Sequence, residues 1–298
     1  MIDVAVYLSS LPRIADRNRK VEVLQMFAEG ARRQGAGVLI QTESKVVDSK
    51  LAVILGWVGN KINGPHIQLR QDVINRQLSL GNHVMPVDAS CFKFVDINSR
   101  WLRYSLDGVF YNTNNYANHN STDQKWQTIS QDLGLKLQPW RSNGNHILLC
   151  LQRDGGWSMK GTDLQQWAKQ TVMTIRQHTD RAIVIRPHPK TQVNLSWVRS
   201  IANVSISNNL LLTQDLKQAW AAVFYNSSSS VAAVLAGVPV FADDTDCVAW
   251  AVANSDLARI ETPDLPIREQ WLWNLCGAHC NDQESQQGLI YKKFQQFL

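Results

Sequence analysis

Three short segments of this 298-residue chain hold residue types suited to anion chemistry. The first is Tyr225-Asn226-Ser227-Ser228-Ser229-Ser230, between the apolar run Ala222-Val223-Phe224 and the small-residue stretch Val231 to Gly237. One serine is enough to cap a helix. Four in a row offer hydroxyls beside the unpaired N–H groups of a first helical turn, and the combination suits a phosphate. The second segment is Ile183-Val184-Ile185-Arg186-Pro187-His188-Pro189-Lys190, where an imidazole is fixed between two prolines just past an apolar run and flanked by two cations. Such a position suits holding a phosphate or protonating a leaving group. The third is Leu151-Gln152-Arg153-Asp154-Gly155-Gly156-Trp157-Ser158. Its paired glycines admit a ligand close to the backbone, and Arg153 adds a phosphate contact.

All three segments follow apolar runs of the kind buried in parallel sheets. The second half reads strand His146 to Gln152, helix Asp163 to His178, strand Ala182 to Arg186 and a segment near Trp197. A short strand Val204 to Ser207, a helix near Leu216, strand Ala222 to Tyr225, helix Val231 to Ala236 and strand Val238 to Ala242 follow. The first half opens with strand Val4 to Leu8, a loop through Pro12 and an amphipathic helix from about Arg19 to Arg33. Runs Val38 to Ile40 and Leu51 to Leu55, a helix carrying Arg70, Val73, Ile74 and Leu78, and strand His83 to Val87 continue it. Strands alternating with helices imply an α/β fold with parallel sheets. Between Cys91 and Trp140 the pattern weakens into an irregular stretch rich in asparagine (Asn112, Asn114, Asn115, Asn118, Asn120), and Pro139 to Asn145 punctuates the chain as a linker would. We therefore expect two Rossmann-like domains facing across a cleft, residues 1–140 and 141–298.

Taken together, the Arg153–Ser158 loop, the Arg-Pro-His-Pro segment at 186–189 and the serine run at 227–230 resemble the nucleotide-binding half of GT-B glycosyltransferases. More narrowly, they resemble the His-Pro and Ser motifs of bacterial sialyltransferases and capsule-type Kdo transferases, over residues 145 to 245. The resemblance implies a nucleotide-sugar donor, held at its phosphate by Arg153, Gly155, Gly156, Arg186, His188, Lys190 and Ser227 to Ser230, with His188 acting on the leaving group. It implies no cofactor and no metal, because cations and helix ends stabilise the departing phosphate. It also implies a general base in an acidic-acidic-Gly motif of the first domain. The counterpart here is Leu106-Asp107-Gly108, which lacks one of the two acids. Asp107 is read as the base. Asp88 is the alternative, since it follows the strand ending at Val87 and should lie at the sheet edge where α/β active sites form. Asp16, near Arg13, Arg17 and Arg19, is read as a salt-bridge partner.

Segments 103–110, 144–146 and 155–159 also look like uncharacterised bacteriophage proteins, and some phage GT-B enzymes decorate hydroxymethylated bases in DNA. Charge points the same way. The net charge is +5, and its whole excess lies in residues 1–143, with 17 Lys and Arg against 12 Asp and Glu. Arg100, Arg103 and Lys125 bracket the asparagine-rich stretch and could track phosphates while Tyr111 or Tyr116 stacks on an extruded base. The expected acceptor is accordingly a 5-hydroxymethylpyrimidine in DNA, with a glycan or capsule-type acceptor as the alternative. A sugar-nucleotide epimerase and a non-catalytic nucleic-acid-binding protein, the latter suggested by the basic half and 11 Trp, are the rival readings.

Composition excludes a membrane-spanning chain: mean hydropathy is -0.23, and no apolar run approaches the roughly 18 residues that a span needs. No basic amphipathic helix of the membrane-surface type is evident. Met1-Ile2-Asp3 leads straight into an apolar strand, so we expect no secretion signal and a cytoplasmic location, the host's if the chain is phage-encoded. Five cysteines, sparse and odd in number, are expected as reduced thiols. Asp243-Asp244-Thr245-Asp246 offers oxygen ligands for a divalent metal, which the GT-B resemblance does not require, and Cys276-Gly277-Ala278-His279-Cys280 is a fragment of a zinc site with no second ligand pair evident. The latter is read instead as a helix face. Trp271, Trp273 and Ile290 to Leu298 are expected to pack, with the last helix crossing back onto the first domain.

Overall fold

A computed structural model describes residues 2–11, 17–59, 64–96, 99–112 and 120–298, with the side chain of residue 157 excepted. Pro12, Arg13, Asp16, Asn114, Asn115, Tyr116 and Asn118 lie outside the described residues. The elements of the first half are β1 (Ile2–Tyr7), α1 (Arg17–Arg33), β2 (Val38–Gln41), β3 (Ser49–Leu55), α2 (Pro65–Ser79), β4 (His83–Ala89), β5 (Leu102–Tyr104) and α3 (Gln124–Leu133). Those of the second are β6 (His146–Cys150), α4 (Leu164–Arg176), β7 (Ala182–Arg186), β8 (Val204–Ile206), α5 (Leu212–Leu216), β9 (Ala219–Phe224), α6 (Ser230–Leu235) and β10 (Val240–Ala242). The chain ends with α7 (Glu269–Gly277), β11 (His279–Cys280), α8 (Asp282–Gln286) and α9 (Leu289–Phe294).

Two sheets result. The first runs β11-β5-β4-β3-β1-β2, with β1 to β4 parallel and β5 antiparallel to both β4 and β11. The second runs β10-β9-β6-β7-β8 and is parallel throughout. Their central strands are buried on both faces, which is why Val4-Ala5-Val6-Tyr7 and Ile147-Leu148-Leu149 read as unbroken apolar runs. On one face of the first sheet Leu24, Phe27 and Ala31 of α1 cover Val4, Val6 and Val53, and on the other Val73 and Ile74 of α2 cover Ala5 and Ile54. Phe27 and Leu24 are wholly buried, and each contributes roughly 1.5–3 kcal/mol of hydrophobic stabilisation.

The expected irregular stretch from Cys91 to Trp140 holds two regular elements instead. Helix α3 carries Trp126, Ile129 and Leu133 on one face and stops at Gly134, whose φ of 63° is the left-handed conformation that ends helices. Strand β5 reverses direction against β4, with Asp88 opposite Arg103. Ile129 joins Phe92, Trp101, Phe224, Val231, Leu272 and Leu275 in one buried cluster, so the two sheets share a core across the junction.

The end of the chain packs on the first sheet. Residues 279–280 form β11 rather than the expected helix face, and Ile290, Tyr291 and Phe294 enter the core under α1. Gly30 of α1 permits this, because a Cβ there would overlap the carbonyl oxygen of Ser285. All five cysteines are buried and free. Both ring nitrogens of His279 are engaged in the core, and no cluster of His, Cys, Asp or Glu able to hold a metal occurs among the described residues. No helix among them is long and apolar enough to cross a membrane.

Candidate active site

In a parallel sheet the crevice for ligands opens past the strand C-termini, where the strand order reverses. In the second sheet that point lies between β6 and β9, because the chain goes from β6 outward through β7 and β8 and then returns to place β9 and β10 on the other side. The loops after β6 and β9 are clamped there. Asn226 donates its N–H to Gln152 Oε1 at 2.7 Å and its side-chain amide to Ser158 O and Asp244 Oδ2 at 2.8 and 2.9 Å, and Gln152 Nε2 donates to Ser158 Oγ at 3.1 Å.

His188 stands on the loop after β7. Its Nδ1 accepts the N–H of Lys190 at 3.1 Å, which fixes the tautomer with the proton on Nε2. Burial, with Lys93, Arg153 and Lys190 around it, pushes the imidazole below its ordinary pKa, so at neutral pH it is an uncharged Nε2–H donor. Lys93, Arg153 and Lys190 have no ion-pair partner among the described residues. The loops of β6 and β7 are tied together by Thr191, whose hydroxyl accepts the N–H of Asp154 at 3.2 Å. Gly155 has φ 62°, and at Gly156 a Cβ would sit 2.9 Å from the carbonyl oxygen of Arg153. The hairpin is therefore compact enough to bring Arg153 beside His188.

The serine run divides. Ser227 and Ser229 share a hydroxyl–hydroxyl hydrogen bond of 2.7 Å at the crevice, and Ser229, the residue preceding α6, makes no side-chain capping bond. Ser227, Ser228 and Ser229 are part-exposed there. Ser230 is wholly buried, and its oxygen accepts the thiol of Cys247 at 3.5 Å. It faces the core, not the crevice.

Two expected residues are placed elsewhere. Arg186 turns sideways from the end of β7. Its guanidinium pairs with buried Asp215 at 2.5 Å and donates to the carbonyls of Asn209 and Leu210 at 2.9 Å, so it braces the β8–α5 side instead of joining the cations around His188. Asp107 lies at the wrong end of its sheet. Because β5 runs antiparallel, the chain arrives at the start of β4, where the Asp107 carboxylate accepts the N–H of Val84 at 2.9 Å and pairs with His83 Nδ1 at 2.8 Å. Its φ of 61° is set by this turn. Asp88 is at the other end of β4, roughly 17 Å along the strand by the usual rise per residue. There Arg103, itself buried, holds Asp88 at 2.6 Å while about a third of the carboxylate side chain stays exposed.

Lys93 was not singled out from the sequence. The signal was its place four residues past the end of β4, at the same kind of strand terminus that marked Asp88. The 243–246 segment grips a cation of its own: Lys160 Nζ lies 2.9 Å from Asp244 and 2.5 Å from Asp246 and stands over the Phe110 ring. The N–H of Tyr111 donates to the carbonyl of Asp246 at 3.2 Å, joining the two halves of the chain.

Two parallel α/β domains sharing a core, a chain end returning to the first, and a ligand crevice at the switch point of the second make up the GT-B arrangement. Among solved structures the chain is similar to two of KpsC from Thermosulfurimonas dismutans. It matches the beta Kdo 2,4 transferase with a TM-score of 0.59 and 12% identity over 97% of this chain and 98% of the other, and the beta Kdo 2,7 transferase with 0.56 and 13% over 98% and 99%. At this identity the likeness establishes the fold. No protein-family model and no curated protein matches the sequence.

Proposed function

We propose that the chain is a glycosyltransferase that moves a sugar from a nucleotide donor to a hydroxyl acceptor. One observation carries the reading: three cations without carboxylate partners, Lys93 from the first domain and Arg153 and Lys190 from the second, converge on a neutral His188 past the C-terminal edge of a parallel sheet. All three cations are exposed, so their gathering costs little, but an anion held among them gains from each together with the Nε2–H of His188, and the anion that suits this place is a nucleotide's phosphate. Ser227 to Ser229 and Gly155 and Gly156 complete its cradle.

For transfer with inversion, Asp88 takes the proton of the acceptor hydroxyl as that oxygen bonds to the anomeric carbon. The bond from that carbon to the phosphate oxygen breaks, and its electron pair stays on the phosphate. The Nε2–H of His188 and the three cations meet the charge as it develops. His188 is a hydrogen-bond donor in this scheme rather than a cation.

A glycan acceptor is the better-supported choice over DNA. The cations that would have tracked DNA phosphates are already engaged: Arg100 with Asp282 at 3.3 Å, Arg103 with Asp88 at 2.6 Å and Lys125 with Glu284 at 2.6 Å. Tyr111, one of the two candidate stacking residues, is half-buried against the shared core. Both similar structures are named as Kdo transferases, which fits a glycan acceptor, with a CMP- or UDP-sugar as the donor to be tested. The test is thermal shift with CMP, CDP and UDP, followed by transfer assays offering glycans and hydroxymethylated DNA. A stabilising shift with one nucleotide, lost in Lys93→Ala, and sugar mass on a glycan support the proposal. No shift with any nucleotide refutes the donor site, sugar mass on DNA reverses the acceptor choice, and turnover of a sugar nucleotide without acceptor indicates an epimerase.

A further inference from the structure

A second cleft opens at the same edge of the second sheet, beyond the phosphate cluster. It encloses about 620 Å³, within the range of small-molecule sites. Tyr225 lines its floor, with the buried Trp167 set edge-to-face beneath it at 5.6 Å between ring centroids, and the Trp167 Nε1–H donates to Asp243 Oδ2 at 2.7 Å. One wall is α4 and the residue before it, where Asp163, Gln166 and Gln170 follow one another along a single face. Both glutamines are exposed, and their side-chain amides make no hydrogen bond among the described residues.

The lining selects its ligand. Asp163 and Asp243 have no cationic partner among the described residues, and the cleft's one lysine, Lys160, is already neutralised by Asp244 and Asp246. A nucleotide phosphate is repelled here and drawn to His188. The part-exposed Tyr225 ring suits the C–H face of one sugar, and planar amides and carboxylates suit vicinal hydroxyls, so the surface fits a neutral, polyhydroxylated molecule. From β7, which carries His188, to β10, which carries Asp243, is three strand steps, on the order of 14 Å. One sugar ring cannot bridge that distance.

We infer that this cleft binds the distal sugars of a neutral oligosaccharide acceptor whose reacting end lies near His188. The inference rests on the glycosyltransferase reading and makes it more specific: the acceptor is an oligosaccharide, held by Gln166, Gln170 and Asp243 beside the Tyr225 ring. The experiment applies the full chain and its Gln166→Ala/Gln170→Ala variant to an array of neutral and acidic oligosaccharides, with thermal shift by CMP measured in parallel on both proteins. Both substitutions are at exposed helix positions that favour alanine, so the variant is expected to fold. Neutral oligosaccharides should be retained by the parent and about tenfold more weakly by the variant, as expected for loss of one or two hydrogen bonds. An unchanged CMP shift in the variant assigns the loss to this cleft. No retention of neutral oligosaccharides, or equal retention by parent and variant, overturns the inference even where nucleotide binding upholds the donor site.

Discussion

Lowering the pH should destabilise the protein through one buried imidazole. His279 is wholly enclosed between α7 and the loop after β4: its Nδ1–H donates to Leu275 O at 2.8 Å and its Nε2 accepts the N–H of Cys91 at 3.1 Å. Protonation removes the second bond. Burial, opposed weakly by the Leu275 bond, pushes the pKa down from 6.5 to about 3. The folded state therefore binds fewer protons than the unfolded chain below about pH 6.5, so the contribution to stability is complete above that value and is lost as the pH falls toward 3. At roughly 1.4 kcal/mol per tenfold change in proton activity, the loss by about pH 5 is about 2 kcal/mol. Other buried imidazoles add to the total, so the measurement is a difference. Urea unfolding of the parent and of His279→Gln, whose amide oxygen can still accept the Cys91 N–H, is compared at about pH 7 and pH 5. The parent should lose about 2 kcal/mol more than the variant between the two conditions. Equal losses in the two proteins would refute the reasoning.

Three further outcomes are expected. His188→Ala should leave the melting temperature nearly unchanged and lower kcat by a hundredfold or more, on the order of one lost oxyanion donor, and an unaltered kcat removes His188 from the reaction. Asp88→Asn should abolish transfer while nucleotide binding survives, whereas Asp107→Asn should keep transfer and lose stability through the His83 pair; the reverse pattern in parallel kinetic and unfolding assays restores Asp107 as the base. Gly237→Ala should cost at least about 2 kcal/mol in urea unfolding, because φ there is 72° and a Cβ would overlap the carbonyl oxygen of Pro139, and a cost below half of that shows that the backbone relaxes.

The residues that could be read from the sequence are those whose chemistry and fold signal coincide. Ile147-Leu148-Leu149 and Ile183-Val184-Ile185 are continuous apolar runs because both faces of a parallel strand are covered, and the motifs following them fall at the strand ends where ligands bind. His188 and Arg153 are located at such strand ends in this way. Asp107 misled because its motif is local while its placement depends on the direction of β5: three residues running antiparallel carry the chain to the opposite end of the sheet, and nothing in Leu102-Arg103-Tyr104 reports direction. Arg186 has the right type at the right strand end, but Asp215, 29 residues later, takes its charge. Lys93 drew no attention because its nearness to His188 is a matter of the fold and not of the local sequence. Helix α3 was legible in the spacing of Trp126, Ile129 and Leu133 before Gly134, although the surrounding asparagines obscured it.

The closing strand of the first sheet has a consequence for synthesis. Residues 279–280 complete a sheet whose other strands lie within residues 2–104, and α1 finds part of its core only in Ile290, Tyr291 and Phe294. The second sheet, by contrast, is contained within residues 146–242. On a ribosome the second domain has its strands together first, while the first waits with one edge of β5 unpaired until residues 279–280 emerge. Contacts of such long sequence separation form slowly, and an unpaired strand edge invites association with other chains. A chain interrupted before residue 279 therefore exposes the unfinished edge of its first-made domain, and surveillance of incomplete chains would meet it there.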